Sequence, residues 1–296
     1  MFKEESVMLI IGENEPFSIY KLDLNLDTQQ EICNIFSRSV IELFSDKDQI
    51  EFDGHYKPDR DECLCISNFK IPVDIMDAIR NPMGILSFKY IADEPLKIKS
   101  IFIGKKEEDE EKEKFTIAFQ NFKANQYITT QKKILSLFLT ENTFIREHRF
   151  GINIYEKVHA LFDNNRLKFQ SFYEANQVLS LNEYYRSATD NEVKGFLEEE
   201  ILHIESKDRF EADTVIRRVI ARINDSNILK KYTVSEISDR AISQNIDISI
   251  ENGKIVIPSD KKEIKLILKF FDESILVGYF TGDTYITNSK RKIMKN

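Results

Sequence analysis

Apolar side chains recur every second residue through most of the first half of the chain and at three- and four-residue intervals through most of the second. This change of period limits the fold more than any other feature. A period of two suits a half-buried strand, and a period near 3.6 suits an amphipathic helix. The expected class is therefore α+β: a strand-rich N-terminal half, then a helix-rich C-terminal half ending in a small hairpin-helix-strand unit. The change of character falls between Ser187 and Asp190, giving regions 1–188 and 189–296, with one continuous fold as the alternative.

The residues predict a hairpin of strands over 7–12 and 17–24 about the break Glu13-Asn14-Glu15-Pro16. Asp27-Thr28 offers an N-cap to a helix bearing Ile32, Ile35, Phe36, Val40 and Phe44. Further strands are expected over 62–67, 98–103, 115–122, 134–139, 142–145, 157–162 and 166–169. Asp163-Asn164-Asn165 is tight-turn chemistry, because Asn and Asp adopt left-handed backbone at little cost. The charged run from Lys105 to Lys114 reads as a solvated loop between two strands. A helix follows from Ser171 or Phe172 to about Leu179.

Beyond Ser187 the helical period dominates. One helix starts at Thr189 or Asp190 and carries Val193, Phe196, Leu197 and Ile201. Another carries Ala212, Val215, Ile216, Val219 and Ile220, and a third covers 234–242. Ile246, Ile248 and Ile250 alternate into Asn252-Gly253, a strong hairpin signal, and a strand returns over 254–257. Ser259-Asp260 caps a last helix with Ile264, Ile267 and Leu268. Strands over 275–280 and 285–287 flank a Thr281-Gly282-Asp283 turn.

At 42% hydrophobic and 31% charged residues, the composition is that of a folded globular chain and not a disordered one. The first residues carry acids where a signal peptide needs positive charge, and no window nears the roughly 18 apolar residues that span a bilayer. A cytoplasmic location is expected, with any membrane association supplied by a partner. The three cysteines, Cys33, Cys63 and Cys65, fit neither a disulfide framework nor a zinc site and read as reduced core residues.

No phosphate-cradling glycine loop or Gly-x-Ser-x-Gly elbow can be written from nine scattered glycines. His55, His148, His159 and His203 belong to no metal-binding pattern. Glu192-Val193-Lys194 and Glu263-Ile264-Lys265 match the letters of a metal-dependent nuclease motif. Both sit in segments of helical period, which points Glu and Lys along diverging faces. No cofactor is expected, and catalysis is not.

The net charge of -8 is unevenly spread: residues 1–164 carry an excess of acid, whereas Lys and Arg outnumber Asp and Glu from Thr214 onward. That asymmetry permits an anionic partner for the C-terminal part alone. Arg217, Arg218 and Arg222 lie on one expected helix. Arg218 and Arg222 share a face opposite much of the apolar set, and so are expected to face solvent and meet phosphates. The basic run Lys290-Arg291-Lys292, with Lys295 beyond, could neutralise phosphates without reading bases.

The stretch Asn252-Gly253-Lys254-Ile255-Val256-Ile257, the helix of Ile264 to Phe270, and Thr281-Gly282-Asp283-Thr284-Tyr285 followed by Asn288-Ser289-Lys290-Arg291 resemble the KwaB family. That family is the cytosolic component of the two-gene Kiwa anti-phage defence system. Phe150-Gly151 and the hairpin from Val158 to Phe169 with Gln170-Ser171-Phe172 extend the resemblance to about residues 110–296. It implies a non-enzymatic DNA-binding effector whose partner is the multi-spanning membrane protein KwaA. Lys290 and Arg291 match the family ending; Lys292, Arg217, Arg218 and Arg222 are added on charge and helical spacing. A homodimer is expected, and the acidic N-terminal half would face the membrane partner or the second copy. A metal-dependent nuclease and a scaffold without DNA contact are the alternatives.

Overall fold

The longest strands owe their length to apolar residues on both faces. In the computed structural model, Ile101, Phe102 and Ile103 are successive residues of one strand and all are buried. A continuous apolar run of this kind marks a sheet covered on both sides. The structure describes residues 1–3, 7–12, 18–54, 56–89, 97–109, 112–128, 137–146, 150–207 and 210–290. They divide into two compact units, 1–52 with 57–182, and 53–56 with 183–296. The class is α+β, with strands concentrated in the first unit and helices in the second.

The first unit contains β1 (Val7–Gly12), β2 (Ile19–Lys21), α1 (Leu26–Phe44), β3 (Asp48–Glu51), β4 (Glu62–Ser67) and α2 (Val73–Arg80). It continues with β5 (Ile98–Asp109), β6 (Lys112–Asn121), β7 (Tyr127–Ile128), β8 (Leu137–Thr140), β9 (Thr143–Arg146) and β10 (Gly151–Ile152). It ends with β11 (Ala160–Asp163), β12 (Arg166–Phe169) and α3 (Phe172–Val178). Eight strands form one sheet in the order β2-β1-β5-β6-β11-β12-β4-β3, antiparallel except for β3 beside β4. On one face α1 buries Ile32, Cys33, Phe36, Val40 and Phe44 against Ile101, Ile103, Ala118 and Leu161. The alternate residues Phe102 and Phe119 meet on the other face at 5.6 Å between ring centroids. Asn121 on that face donates from Nδ2 to the carbonyl of Glu174 in α3, 2.9 Å away.

Several expectations need correction. Asn25, not Asp27 or Thr28, caps α1, accepting from the Thr28 amide at 2.8 Å. The described residues of the charged run are strand and not loop: β5 and β6 pair along it as far as Asp109 and Lys112, with Glu107 opposite Lys114 and Lys106 opposite Phe115. Glu107 with Lys114 and Asp109 with Lys112 are register partners of opposite charge, which favours the pairing, and Glu113, opposite Glu108 in the register, is neutralised by Lys106 at 3.3 Å and Arg80 at 2.8 Å. The helix α2 was not anticipated. The Glu13-Pro16 break and the start of the strand expected at Ile134 lie outside the described residues. The Asn164-Asn165 turn holds, with φ of 49° and 59° between β11 and β12.

The second unit contains α4 (Asp190–Leu197), β13 (Leu202–Ile204), α5 (Thr214–Ser226), α6 (Ile228–Lys231) and α7 (Val234–Ser243). It closes with β14 (Ile250–Glu251), β15 (Lys254–Ile257), α8 (Lys261–Phe271), β16 (Ile275–Val277) and β17 (Thr284–Ile286). Thr189 caps α4 and Thr233 caps α7, each in a reciprocal box with the Glu three residues on. β15 is the middle of a three-stranded sheet, parallel to β13 and antiparallel to β14. Ile255 and Ile257 of that strand share a core with Ile216, Val219, Ile220 and Ile223 of α5 and Ile264, Ile267 and Leu268 of α8. The alternation at Ile246 and Ile248 does not make a strand; only Ile250 and Glu251 pair across the Asn252-Gly253 turn. The strand expected over 275–280 stops at Val277, where the chain leaves the ladder at Gly278.

Candidate nucleic-acid interface

The helix α8 starts where the Asp260 carboxylate accepts from the amides of Lys262 at 2.9 Å and Glu263 at 3.1 Å. Its apolar residues Ile264, Ile267, Leu268, Phe270 and Phe271 are buried. At about 100° per residue, Lys261, Lys262, Lys265 and Lys269 all fall within about 100° of arc on a different side of the cylinder. Glu263, the one acid of the helix, lies outside that arc. The burial of one side therefore fixes a cationic stripe along another.

One carboxylate borders the stripe. Asp213 caps α5 by accepting from the Ile216 amide at 2.9 Å, and Lys261 and Lys265 approach it at 3.0 and 3.2 Å. The Ile216 amide, helped by the two ammonium groups against the cost of burial, holds this carboxyl far below its ordinary range. A single anion among four lysines leaves the stripe cationic. Lys262 is exposed and has no carboxylate within ion-pair distance among the described residues.

At the C-terminal end of α8, Asp272 gathers two of the expected DNA-binding residues. Arg222 donates from Nε to Oδ1 and from Nη2 to Oδ2, both at 2.7 Å. Lys290 donates to the Asp272 backbone carbonyl and lies 3.6 Å from Oδ1. The Ser274 hydroxyl donates to Oδ2 at 2.5 Å. Burial acts to raise the Asp272 pKa, but the hydrogen bonds from Arg222 and Ser274 and the charges of Arg222 and Lys290 outweigh it and lower it. Lys269 donates to Asn288 Oδ1 at 3.1 Å, so the segment entering Lys290 lies against the end of the lysine stripe.

The arginines expected to face solvent do not do so. Arg222 is spent on Asp272, with a fifth of its side chain exposed. Arg218 lies over the Tyr185 ring, 3.6 Å from its centroid. Arg217 pairs with Asp190 at 2.6 Å and donates to the carbonyls of Ala212 and Ala188, both at 3.1 Å. Arg218 and Arg222 flank an apolar stripe wide enough to bury Ile216, Val219, Ile220, Ala221 and Ile223, so their heads end on neighbouring groups. Arg291, Lys292 and Lys295 lie outside the described residues.

The α8 lysines were missed, although their spacing of i, i+4 and i+8 from Lys261 carries the signal. The two Glu-x-Lys sequences fall on α4 and α8. Glu192 is held by Arg186 at 2.5 Å and by the Thr189 amide, which keep its pKa at about 2. Among the described residues no group of three His, Cys, Asp or Glu side chains could hold a metal ion, and no helix is long and apolar enough to cross a membrane. Cys63 and Cys65 are buried on β4, and burial with the adjoining Glu51 carboxylate pushes the Cys65 thiol up to about 12, away from thiolate chemistry.

No protein-family model matches the chain, and no match was found among curated proteins or solved structures.

Proposed function

We propose that this protein is a DNA-binding effector of an anti-phage defence system, non-enzymatic, and held at the membrane by a multi-spanning partner of the KwaA kind. The observation that carries the reading is the arc of Lys261, Lys262, Lys265 and Lys269 on α8, with Lys290 anchored at its end. A row of ammonium groups on one helix side contacts phosphates without reading bases, which suits a protein that must bind foreign DNA of any sequence. In the sequence Lys290 is followed by Arg291 and Lys292, two further cationic residues.

The resemblance of residues 110–296 to the KwaB family supports the defence role and supplies the partner. The excess acid of the N-terminal half makes that region unsuited to DNA and available to the membrane partner or to a second copy of the chain in a homodimer. The test is an electrophoretic shift of a duplex by the full chain against a Lys262→Glu, Lys265→Glu, Lys269→Glu variant. Loss of the shift with an unchanged circular dichroism spectrum supports the reading; an equal shift overturns it.

A further inference from the structure

Between α8 and Lys290 the chain makes the β16–β17 hairpin, and its tip presents two aromatic rings to water. Tyr279 is 94% and Phe280 is 97% exposed, the most exposed large apolar residues among the described residues. Folded chains seldom leave two adjacent rings uncovered without a partner for them. The rings are not on a slack loop. The Gly278 amide donates to the Asp283 carbonyl and the Gly282 amide to the Gly278 carbonyl, both at 2.8 Å. Gly282 takes a φ of +72°, and the Asp283 amide bonds the Thr281 hydroxyl at 3.2 Å. At its base the hairpin is tied down by buried Ile275 and by the Thr287 amide on the Ser274 carbonyl, 2.9 Å away.

Tyr279 and Phe280 meet edge to face, with centroids 5.4 Å apart and planes at 88°. That arrangement leaves ring faces open to a third flat group. We infer that the Tyr279–Phe280 tip is a stacking platform for unpaired bases, so that the DNA preferred by this surface is single-stranded. This rests on the DNA reading above and goes further by naming the form of DNA.

The choice of occupant follows from charge and chain continuity. The hairpin leaves the end of the α8 lysine stripe and returns to Lys290, so Lys269, bonded to Asn288, and Lys290, beside Asp272, both stand at its base. Channels that bind single strands combine cations along the backbone with aromatic faces under the bases. In a duplex the base faces are already stacked on one another, and only unpaired bases can use the rings.

The test uses the full chain and fluorescence anisotropy with a labelled oligothymidine and a blunt duplex of equal length. The variants are Tyr279→Ala with Phe280→Ala, the same pair changed to Trp, and Lys262→Glu with Lys269→Glu. The alanine variant is expected to lose about tenfold or more in affinity for oligothymidine and to hold the duplex within about twofold, while the Trp variant keeps oligothymidine binding. Unchanged oligothymidine binding by the alanine variant overturns the inference. So does tip-dependent sedimentation with phosphatidylserine vesicles, or tip-dependent dimerisation, with single-strand affinity unaltered. If the lysine variant alone loses binding, the stacking inference fails and the DNA reading stands; if no variant changes binding, both fail.

Discussion

Arg222 grips Asp272 across 50 residues of sequence with two parallel hydrogen bonds of 2.7 Å each. The Asp272 side chain is only 3% exposed, so its charge depends on that fork. Removing one member of a buried pair strands the other, at a cost of about 3 kcal/mol where a second cation stays close. Arg222→Ala should therefore open the contact between α5 and α8, read as faster amide exchange in both helices. Lys290→Ala should cost under about 1 kcal/mol, because Lys290 is partly solvated.

The same carboxylate predicts an acid dependence. Its folded pKa lies below the ordinary 3.8, so its contribution is complete above that value and lost as pH falls through the folded one. The stability gap between the wild type and Asp272→Asn should narrow on acidification below about pH 4. A gap that widens in acid would contradict the assignment.

His159 acts in the other unit. It is buried, its Nδ1 accepts from the Asn121 amide at 3.0 Å, and its Nε2 lies 3.6 Å from Glu174. Burial lowers its pKa from 6.5 to about 4 against the pull of Glu174. The unfolded chain then binds the proton first as pH falls, so stability should decline from about pH 6.5 towards 4, by about 3 kcal/mol in all. Nuclear magnetic resonance titration of the imidazole reports this directly, and a midpoint near 6.5 would refute it.

Two glycines separate backbone strain from crowding. Gly253 has a φ of +73° with nothing near a would-be Cβ, so Gly253→Ala should cost about 1 kcal/mol through the backbone alone. Gly104 on β5 lies under the Ile79 side chain of α2, so Gly104→Ala should overpack that contact by about 1–3 kcal/mol. Ile79→Ala should rescue the second variant and not the first, as thermal unfolding would show.

Local chemistry was legible in the sequence. The Asn164-Asn165 and Asn252-Gly253 turns, the Thr189 and Asp260 caps and the segregation of strands from helices follow from residues a few positions apart. What escaped were outcomes of tertiary contact. The Lys105 to Lys114 run pairs as strands because Arg80 and opposite-strand charges neutralise it. Arg218 and Arg222 look solvent-facing on a helical wheel, yet Tyr185 and Asp272 arrive from elsewhere in the unit to occupy them. The α8 lysines were visible as a spacing and were passed over for the tail.

The salt dependence of DNA binding tests the central claim most directly. Plotting log affinity against log salt, each of Lys262, Lys265 and Lys269 changed to Gln should flatten the slope by about 0.7–0.9, the share of one phosphate contact. Lys194→Gln, a change of equal charge on exposed α4, should leave the slope alone. A slope that ignores the α8 lysines, or responds equally to Lys194, would contradict the assignment of this helix as the DNA-binding face.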